Sequence, residues 1–326
     1  MTEMTDDTNT TEIRRQTPTS SKLIYLGLSL LLSLSLIVLV SRESSRSLSS
    51  SRDRASTAQR NPFETLTLQA RAALVWDIKN QKALFEKDPG AVLPFASLTK
   101  VLVALTALDL IPDTTVITLD KSFLAEEGDV GLFVDERWTL RDLVDVSLVS
   151  SSNDAATAIA AVAGAIEANA TSYDVGRGRF IELMNKKALE IGMMETRIFK
   201  ESGLDAGSGQ DGAYGSARDI ARLFEFVLQH RPDILSATKY AAVKNVSINR
   251  LPHTLKNTNP AVDALPAVLA SKTGFTDGSG GNLAVVIDPA IGRPLVVVVL
   301  GSGYDERFSD VAAIAEAAER WVASGR

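Results

Sequence analysis

The chain has 326 residues, of which 45% are hydrophobic and 23% are charged, a composition that indicates one large folded domain or two smaller ones. It has no cysteine and two histidines, which excludes a thiol nucleophile, a disulfide framework and a thiolate metal site, and argues against a multi-histidine site. The net charge is −6, from 34 basic and 40 acidic residues, so nothing indicates a nucleic-acid partner. We therefore expect no metal or other cofactor, and nucleophilic chemistry that uses Ser, Thr, Lys or a carboxylate.

The first predicted element is an apolar helix at residues 23–41, a run without a charged side chain. Its 19 residues would make a helix of about 28 Å, roughly the hydrocarbon thickness of a bilayer. The run is longer than the apolar core of a cleaved signal peptide, which has about 7–15 residues, and no clear cleavage site follows it. We expect a polar N-terminal tail at 1–22 and an uncleaved, membrane-spanning signal anchor at 23–41.

The segment after this span is predicted to be a linker at 42–60. Residues 41–60 contain eight serines and five arginines, so they cannot bury enough apolar surface to fold and would span roughly 25 Å on average. Basic residues flank the span on both sides, and the larger number follows it. This pattern slightly opposes an extracytoplasmic position for the C-terminal part, the side that the function inferred below requires.

The folded unit is predicted at 61–326, with strands at both ends and helices between them. The predicted elements, in chain order, are strands at 72–78 and 83–86, helices at 97–110, 140–149, 155–163, 180–191 and 217–228, strands at 283–287 and 295–300, and a helix at 309–322 with Ser309 as its N-cap. An antiparallel sheet built from both chain ends, with an all-helical insertion, is the simplest α+β arrangement. We expect Trp76, Trp138 and Trp321 in the core, and His230 and His253 at the surface or in loops, since neither has an acidic partner at ligand spacing.

The first motif with chemical potential is Ser97-Leu98-Thr99-Lys100, at the start of a predicted helix. Residues three apart share a helix face, so the Lys100 amine can reach the Ser97 hydroxyl and serve as its base once it is desolvated. Free N–H groups at the helix start would favour developing negative charge. Alone, the motif is also typical of an ordinary N-cap beside a solvated lysine, and Ser236-Ala237-Thr238-Lys239 repeats it.

Two further motifs follow in the same chain. Ser151-Ser152-Asn153 lies at a junction of two predicted helices, where a helix-capping loop is the plain alternative; Ser247-Ile248-Asn249 has the same pattern. Lys272-Thr273-Gly274 occurs once and opens a strand, where its cation and hydroxyl could bind a carboxylate. In this order, S-x-x-K, S-x-N and K-T-G are together far more specific than any one of them.

The three motifs and the residues around them resemble serine D-alanyl-D-alanine carboxypeptidases, the low-molecular-mass penicillin-binding proteins. The resemblance covers roughly residues 68–321. It extends to the segments 94–100, 148–156, 203–205, 216–219, 257–259 and 270–277, which are similar to the family's sequence markers. The resemblance implies a β-lactamase/transpeptidase-like α+β fold.

The resemblance also implies a role for each matching residue. Ser97 would be the acylated nucleophile, Lys100 its general base, and Ser151 a member of the proton relay. Asn153 would orient the substrate amide, and Lys272 and Thr273 of the Lys272-Thr273-Gly274 motif would bind the terminal carboxylate. The N–H groups of Ser97 and Phe275 would form the oxyanion hole. Phe275 stands where many relatives have His, which leaves the backbone donor intact.

The function implied is removal of the terminal D-Ala from peptidoglycan stem peptides, with β-lactams as covalent inhibitors. D,D-endopeptidase cleavage of crosslinks would use the same residues. A catalytically silent, membrane-anchored muropeptide-binding protein is an alternative from another class. A β-lactamase is less consistent, because Glu201 precedes a segment typical of the carboxypeptidases rather than a deacylation loop. The substrate would place the catalytic domain outside a cell membrane that the anchor crosses once.

Overall fold

A computed structural model of the chain describes residues 61–128, 131–207 and 209–325. The predicted tail, membrane-spanning anchor and linker at 1–22, 23–41 and 42–60 lie outside these residues. Within the described residues, no helix is both long and apolar enough to cross a membrane.

A five-stranded antiparallel sheet joins the two ends of the described chain, in the order β10-β11-β12-β1-β2. Its strands are β1 (Ala72–Asp77), β2 (Lys82–Lys87), β10 (Val268–Thr276), β11 (Gly280–Ile287) and β12 (Leu295–Ser302). The first strand lies directly beside the last, with Ala72 opposite Leu300 and Asp77 opposite Leu295. Strand β10 is an edge strand, so one side of its backbone is open to other parts of the protein.

The two faces of this sheet belong to two hydrophobic cores, because side chains alternate along each strand. On β12, Val296 and Val298 face the core that contains most of the helices, whereas Val297 and Val299 face the C-terminal helix. All four side chains are fully buried. The sheet is therefore the middle layer of the unit formed by the described residues.

Six α-helices are described. They are α1 (Thr99–Leu110), α2 (Leu140–Val149), α3 (Asn153–Ala168), α4 (Tyr173–Glu190), α5 (Ala217–His230) and α6 (Glu306–Ala323). A hydroxyl side chain caps the N-terminus of four of them, which explains where α2 to α5 begin: Thr139, Ser152, Ser172 and Ser216 each accept a hydrogen bond from a backbone N–H three residues on.

The segment between the chain ends also contains short strands. They are β3 (Leu93–Pro94), β4 (Val116–Thr118), β5 (Arg137–Thr139), β6 (Arg197–Ile198), β7 (Ala213–Gly215), β8 (Ala242–Val246) and β9 (Pro252–Lys256). They pair as β3-β7-β6, β4-β5 and the hairpin β8-β9. The predicted sheet from both chain ends is present, but the insertion is helical with small sheets rather than all-helical.

Three other sequence expectations differ from the structure or match it only in part. Ser309 is not an N-cap, because α6 begins at Glu306 and Ser309 lies within its first turns. His253 does have an acidic partner, since its Nε2 lies 2.6 Å from Oε1 of the buried Glu136. Trp138 is fully buried as expected, whereas Trp76 and Trp321 are half-buried at the edges of the two cores.

Candidate active site

Ser97 lies in a single 3₁₀ turn, Ala96–Leu98, that leads directly into α1. Ala96 before it has a left-handed backbone, with φ of +48°. This conformation is unfavourable for a residue with a Cβ and persists only where the surroundings impose it. Two neighbours do so: the Thr99 hydroxyl donates to the Ala96 carbonyl at 2.6 Å, and a Cβ on Gly203 would lie 2.2 Å from the same oxygen. The turn is therefore held rigidly with the Ser97 side chain half-buried at its tip.

The Lys100 amine lies one helical turn from Ser97 and is fully buried. Its Nζ is 2.7 Å from Ser97 Oγ, 2.7 Å from Asn153 Oδ1 and 2.6 Å from the carbonyl oxygen of Ser202. The amide and carbonyl oxygens can only accept hydrogen bonds. In the neutral amine they take its two N–H groups, so the nitrogen lone pair is left facing the Ser97 hydroxyl proton.

Burial is the main influence on the charge of Lys100. It lowers the pKa of this amine to about 7. The negative charges of Glu201 and Glu126 oppose this shift, whereas the positive charge of Lys200 adds to it. A lysine with a pKa near 7 is neutral in a large fraction of molecules at neutral pH, as a general base must be. Sequence, geometry and charge thus agree on Lys100 as the partner of Ser97.

A second lysine–serine pair lies on the other side of the cleft. Lys272 Nζ donates to Ser151 Oγ at 2.8 Å and to the Thr273 carbonyl at 2.8 Å. Burial, together with the charges of Lys100 and Arg307, holds the pKa of Lys272 well below its usual range. Ser151 itself has a left-handed φ of +58°, immediately before the cap of α3. The structure places Ser151 against Lys272, and none of the hydrogen bonds of these described residues joins it to Ser97 or Lys100.

Asn153 is the first residue of α3, and both ends of its amide are engaged within the protein. Oδ1 accepts from Lys100, and Nδ2 donates to the Glu127 carbonyl at 2.6 Å. In this structure the side chain therefore positions the Lys100 amine and the loop that contains Glu127. Its contact with a substrate amide stays a prediction.

Strand β10 passes close to the Ser97 turn at Gly274. A Cβ at this position would lie 2.5 Å from the Phe95 carbonyl oxygen and 3.2 Å from the Ser97 nitrogen, so only glycine permits the approach. The approach brings the backbone of Phe275, the next residue, close to that of Ser97. The two predicted oxyanion donors thus come from segments that contact each other.

The rest of the predicted carboxylate site lies along the same strand. Thr273 is buried, and its Oγ1 is 2.6 Å from Oγ1 of Thr258. Asn259 donates through Nδ2 to Ser271 Oγ at 2.8 Å, so the 257–259 segment lines this part of β10. Together, Lys272 and Thr273 present a buried amine and a hydroxyl on the edge strand.

An open groove of about 520 Å³ adjoins these residues. It is lined by Glu127, whose carbonyl binds Asn153, by Phe275, and by charged residues that include Lys200, Asp205 and Asp277. An extended peptide that reaches Ser97 has space to lie in it. Among the described residues, no group of three or more histidine and carboxylate side chains could hold a metal ion.

Several contacts at the site have no signature in the sequence. The carbonyl oxygens of Ser202 and Glu127 act through the backbone, which any residue type can supply. Glu201 is fully buried and pairs with Arg177 at 2.7 Å, a charge pair that only folding brings near Lys100. The duplicate motifs are elsewhere: Ser236 bonds to the Asp233 carbonyl, and Asn249 to the Arg137 N–H.

The chain is similar to known proteins in both sequence and structure. A family model described as D-alanyl-D-alanine carboxypeptidase matches residues 55–303. A D-alanyl-D-alanine endopeptidase of Pseudomonas aeruginosa is 30% identical over 267 residues, which cover 79% of each chain. The D-alanyl-D-alanine carboxypeptidase DacB2 of Mycobacterium tuberculosis is 29% identical over 64% of this chain and 67% of its own length. The ampicillin-bound structure of penicillin-binding protein D2 from Listeria monocytogenes is similar with a TM-score of 0.66 and 26% identity, over 78% of this chain and 98% of that one.

Proposed function

The chain belongs to the family of D-alanyl-D-alanine carboxypeptidases, and we propose that it trims peptidoglycan stem peptides through an acyl-enzyme on Ser97. As a member of this family it is a serine-type hydrolase of D-Ala-D-Ala peptides, which confirms the family and the α+β fold expected from the sequence. The observation that carries the assignment of Ser97 is the 2.7 Å contact between its Oγ and the buried Lys100 amine.

Acylation follows from this contact. Ser97 Oγ attacks the carbonyl carbon between the two terminal D-Ala residues, and its proton moves to the Lys100 lone pair. The carbonyl oxygen becomes an oxyanion that accepts hydrogen bonds from the N–H groups of Ser97 and Phe275. The C–N bond then breaks, the departing nitrogen takes a proton from the lysine–serine network, and D-alanine leaves.

Deacylation repeats the same steps with water. Lys100 takes a proton from the water that attacks the ester, the oxyanion forms in the same place, and Ser97 leaves as the hydroxyl. The terminal carboxylate of the incoming peptide binds Lys272 and Thr273, which fixes the scissile bond over Ser97. A β-lactam presents a carboxylate and a strained amide in the same way and acylates Ser97.

The test is the mass of the intact full-length protein in detergent after incubation with benzylpenicillin. We expect a single adduct on the wild-type protein and none on Ser97→Ala, together with release of D-alanine from a pentapeptide by the wild type alone. A Ser97→Ala protein that still releases D-alanine would contradict the proposal. Rapid hydrolysis of the antibiotic without an adduct would instead indicate a β-lactamase.

A second activity is supported by one observation, the 30% identity to a protein named D-alanyl-D-alanine endopeptidase. The same residues would then cleave a D,D-crosslink, whose leaving group is a second stem peptide rather than D-alanine. Digestion of purified crosslinked and uncrosslinked muropeptides separates the two activities, because only an endopeptidase releases monomers from dimers.

We also propose that the catalytic domain lies outside the cell membrane, attached by the predicted anchor at 23–41. The support is the apolar sequence of that segment and the location of peptidoglycan. Protease added to intact spheroplasts should remove the catalytic domain and leave a short membrane fragment. A domain protected until the membrane is opened would contradict this topology.

A further inference from the structure

Arg307, in the first turn of α6, is a buried cation that the steps above do not use. Its Nη1 donates to the Gly274 carbonyl at 3.3 Å, and the Tyr304 side chain is a further hydrogen-bond partner. Its Nε has no hydrogen-bond partner among the described residues, and the nearest favourable negative charge is that of Asp305. Burying a cation costs free energy, and the charge of Asp305 offsets only part of this cost, so the contacts of the guanidinium have to account for its position.

Aromatic rings surround the guanidinium in place of a carboxylate. Its carbon lies 4.4 Å from the ring centre of Tyr304, 4.6 Å from that of Phe308 and 5.7 Å from that of Phe275. A Cβ on Gly281 would lie 3.2 Å from Arg307 Cδ, so the side chain is also confined by the backbone of β11. These contacts hold the positive charge in one place beneath the edge of the sheet.

The carbonyl that Arg307 contacts belongs to the same peptide unit as the Phe275 N–H. In a trans peptide these two groups point in opposite directions. The Ser271 N–H donates to the Thr238 hydroxyl, which lies outside the sheet. The Thr273 carbonyl accepts from Lys272 Nζ in the cleft. The backbone groups of odd-numbered residues of β10 therefore point away from β11. The register is regular from Ala270 to Thr276, which places the Phe275 N–H on the cleft side and the Gly274 carbonyl on the side of Arg307.

We propose that Arg307 is a positioning residue for the oxyanion hole. Its guanidinium fixes the plane of the Gly274–Phe275 peptide, and its charge polarises that peptide so that the Phe275 N–H is a stronger donor to the oxyanion. The inference rests on the proposed acylation of Ser97. Arg307 does not touch the substrate in this role, and acts only through the peptide between them.

The test compares Arg307→Met, which removes the charge, with Arg307→Lys, which keeps it but loses the planar fork. Arg320→Met is the matched control, because Arg320 lies on the same helix but is exposed and pairs only with Glu316. The rate constant for acylation by benzylpenicillin is measured for the full-length protein in detergent. Loss of a single oxyanion donor costs about 10²–10³-fold in rate, so we expect about a tenfold to hundredfold loss for Arg307→Met. Arg307→Lys should lose less, and Arg320→Met nothing.

A second substrate separates this role from direct binding of the carboxylate. Benzylpenicillin methyl ester lacks the charged carboxylate and acylates through the same oxyanion. The fold-loss on Arg307→Met should be the same for the acid and the ester. A loss confined to the acid would overturn the proposal, since Arg307 would then bind the carboxylate itself. Acylation of Arg307→Met at the wild-type rate would overturn it as well.

The infrared stretch of the acyl carbonyl, labelled with ¹³C, is a readout that depends directly on the oxyanion hole. A less polarised carbonyl absorbs at higher frequency, so the acyl-enzyme of Arg307→Lys should show an upward shift from wild type. If Arg307→Met does not fold, this measurement decides, and an unchanged frequency overturns the proposal. A wild-type protein without an adduct would remove the proposed function and this inference together, whereas an adduct insensitive to Arg307 would remove only the inference.

Discussion

At the scale of single residues, the charge of Lys100 is set by opposing influences. Burial lowers the pKa of its amine to about 7, whereas Glu201 and Glu126 raise it through their negative charges. Three oxygen atoms lie within hydrogen-bond distance of the Lys100 amine. These contacts position the base, and pH sets its protonation.

Acylation of Ser97 should depend on pH through Lys100. Because the neutral amine is the base, the acylation rate should fall about tenfold per pH unit below a midpoint near 7 and reach a plateau above it. The rate constant for benzylpenicillin between pH 5 and 9 measures this. Lys100→Arg, which stays protonated at every pH in this range, should abolish acylation. A flat profile would exclude Lys100 as the titrating base.

Glu201→Gln should show how far the charge of Glu201 influences the pKa of Lys100. Glu201 favours the charged form of Lys100, so its neutralisation should lower the pKa of the amine and move the acid limb of the profile to lower pH. The same change removes the ion pair of Glu201 with Arg177 and leaves the Arg177–Glu126 pair at 3.4 Å. We expect a loss of about 2–4 kcal/mol in the free energy of unfolding, measured in urea. The loss should be smaller than for a fully buried pair, because Arg177 is partly exposed. Glu182→Gln, at an exposed pair with Arg179, is the control and should change neither. An acid limb that moves to higher pH would contradict the assignment.

At the scale of secondary-structure elements, two glycines let α3 and α4 cross in backbone contact. A Cβ on Gly164 would lie 2.0 Å from the Gly176 carbonyl oxygen, and one on Gly176 would lie 2.3 Å from that of Ala161. This crossing bears on the site, because α3 begins with Asn153, which binds the Lys100 amine. Close helix packing thus fixes a polar group at the far end of α3.

Gly176→Ala and Gly178→Ala should have opposite effects, although the two residues lie in the same helix. The first should destabilise the protein by about 1–3 kcal/mol through overpacking against α3. The second should stabilise it by about 0.5–1 kcal/mol, since a Cβ there meets nothing within 4 Å and alanine favours the helix. Urea unfolding measures both. Equal effects from the two substitutions would show that the crossing is not close-packed.

The helices could be predicted more fully than the strands. The apolar periodicity of 140–149 matches α2 (Leu140–Val149) residue for residue. The hairpin β8-β9 was missed, since its strands carry Lys244, Asn245 and Pro252 and more than half of their side chains are exposed. The wrong cap at Ser309 has a related cause: α6 starts earlier, at Glu306, after an Asp305 whose side chain makes no cap hydrogen bond.

The site could be predicted from the sequence only where side chains, rather than backbone groups, form it. The three motifs place Ser97, Lys100, Ser151 and Lys272 in one cleft, because their order and types are specific. Contacts made through a carbonyl, such as that of Ser202, leave no pattern in the sequence. Arg307 was missed for another reason: it follows the last motif by more than thirty residues, and only the register of the sheet brings it beneath Gly274.

At the scale of the whole molecule, the Asp310 carboxylate connects the segment before β1 with the end of β12 through hydrogen bonds. Asp310 on α6 accepts hydrogen bonds from the N–H groups of Gln69 and Ala70, at 3.1 and 2.8 Å, and from the Ser302 hydroxyl at 2.7 Å. The side chain is buried, so three donors lose their partner if it is removed. The chain before β1, the end of β12 and α6 all meet at this group.

Asp310→Ala should therefore destabilise the entire fold. Hydrogen bonds to a charged group contribute about 1.5–3 kcal/mol each, and with partial replacement by water we expect a net loss of about 3–5 kcal/mol. The midpoint of urea unfolding measures the loss. Glu316→Ala, at an exposed carboxylate of the same helix, should cost less than about 0.5 kcal/mol. A loss at Asp310 no larger than this control would show that the chain ends are held by the sheet alone.

The pairing of β1 with β12 also constrains the order in which the sheet can form during synthesis. Strand β1 pairs with β12, which is synthesised more than two hundred residues later. Contacts between residues so far apart in sequence form slowly. Until then β1 can pair only with β2, and the strand that lies between β1 and β11 in the sheet is missing. A chain emerging from a ribosome or a translocation channel therefore cannot complete its sheet until β12 has been released. Release of β12 thus joins β1 and β2 to the strands that form one wall of the cleft.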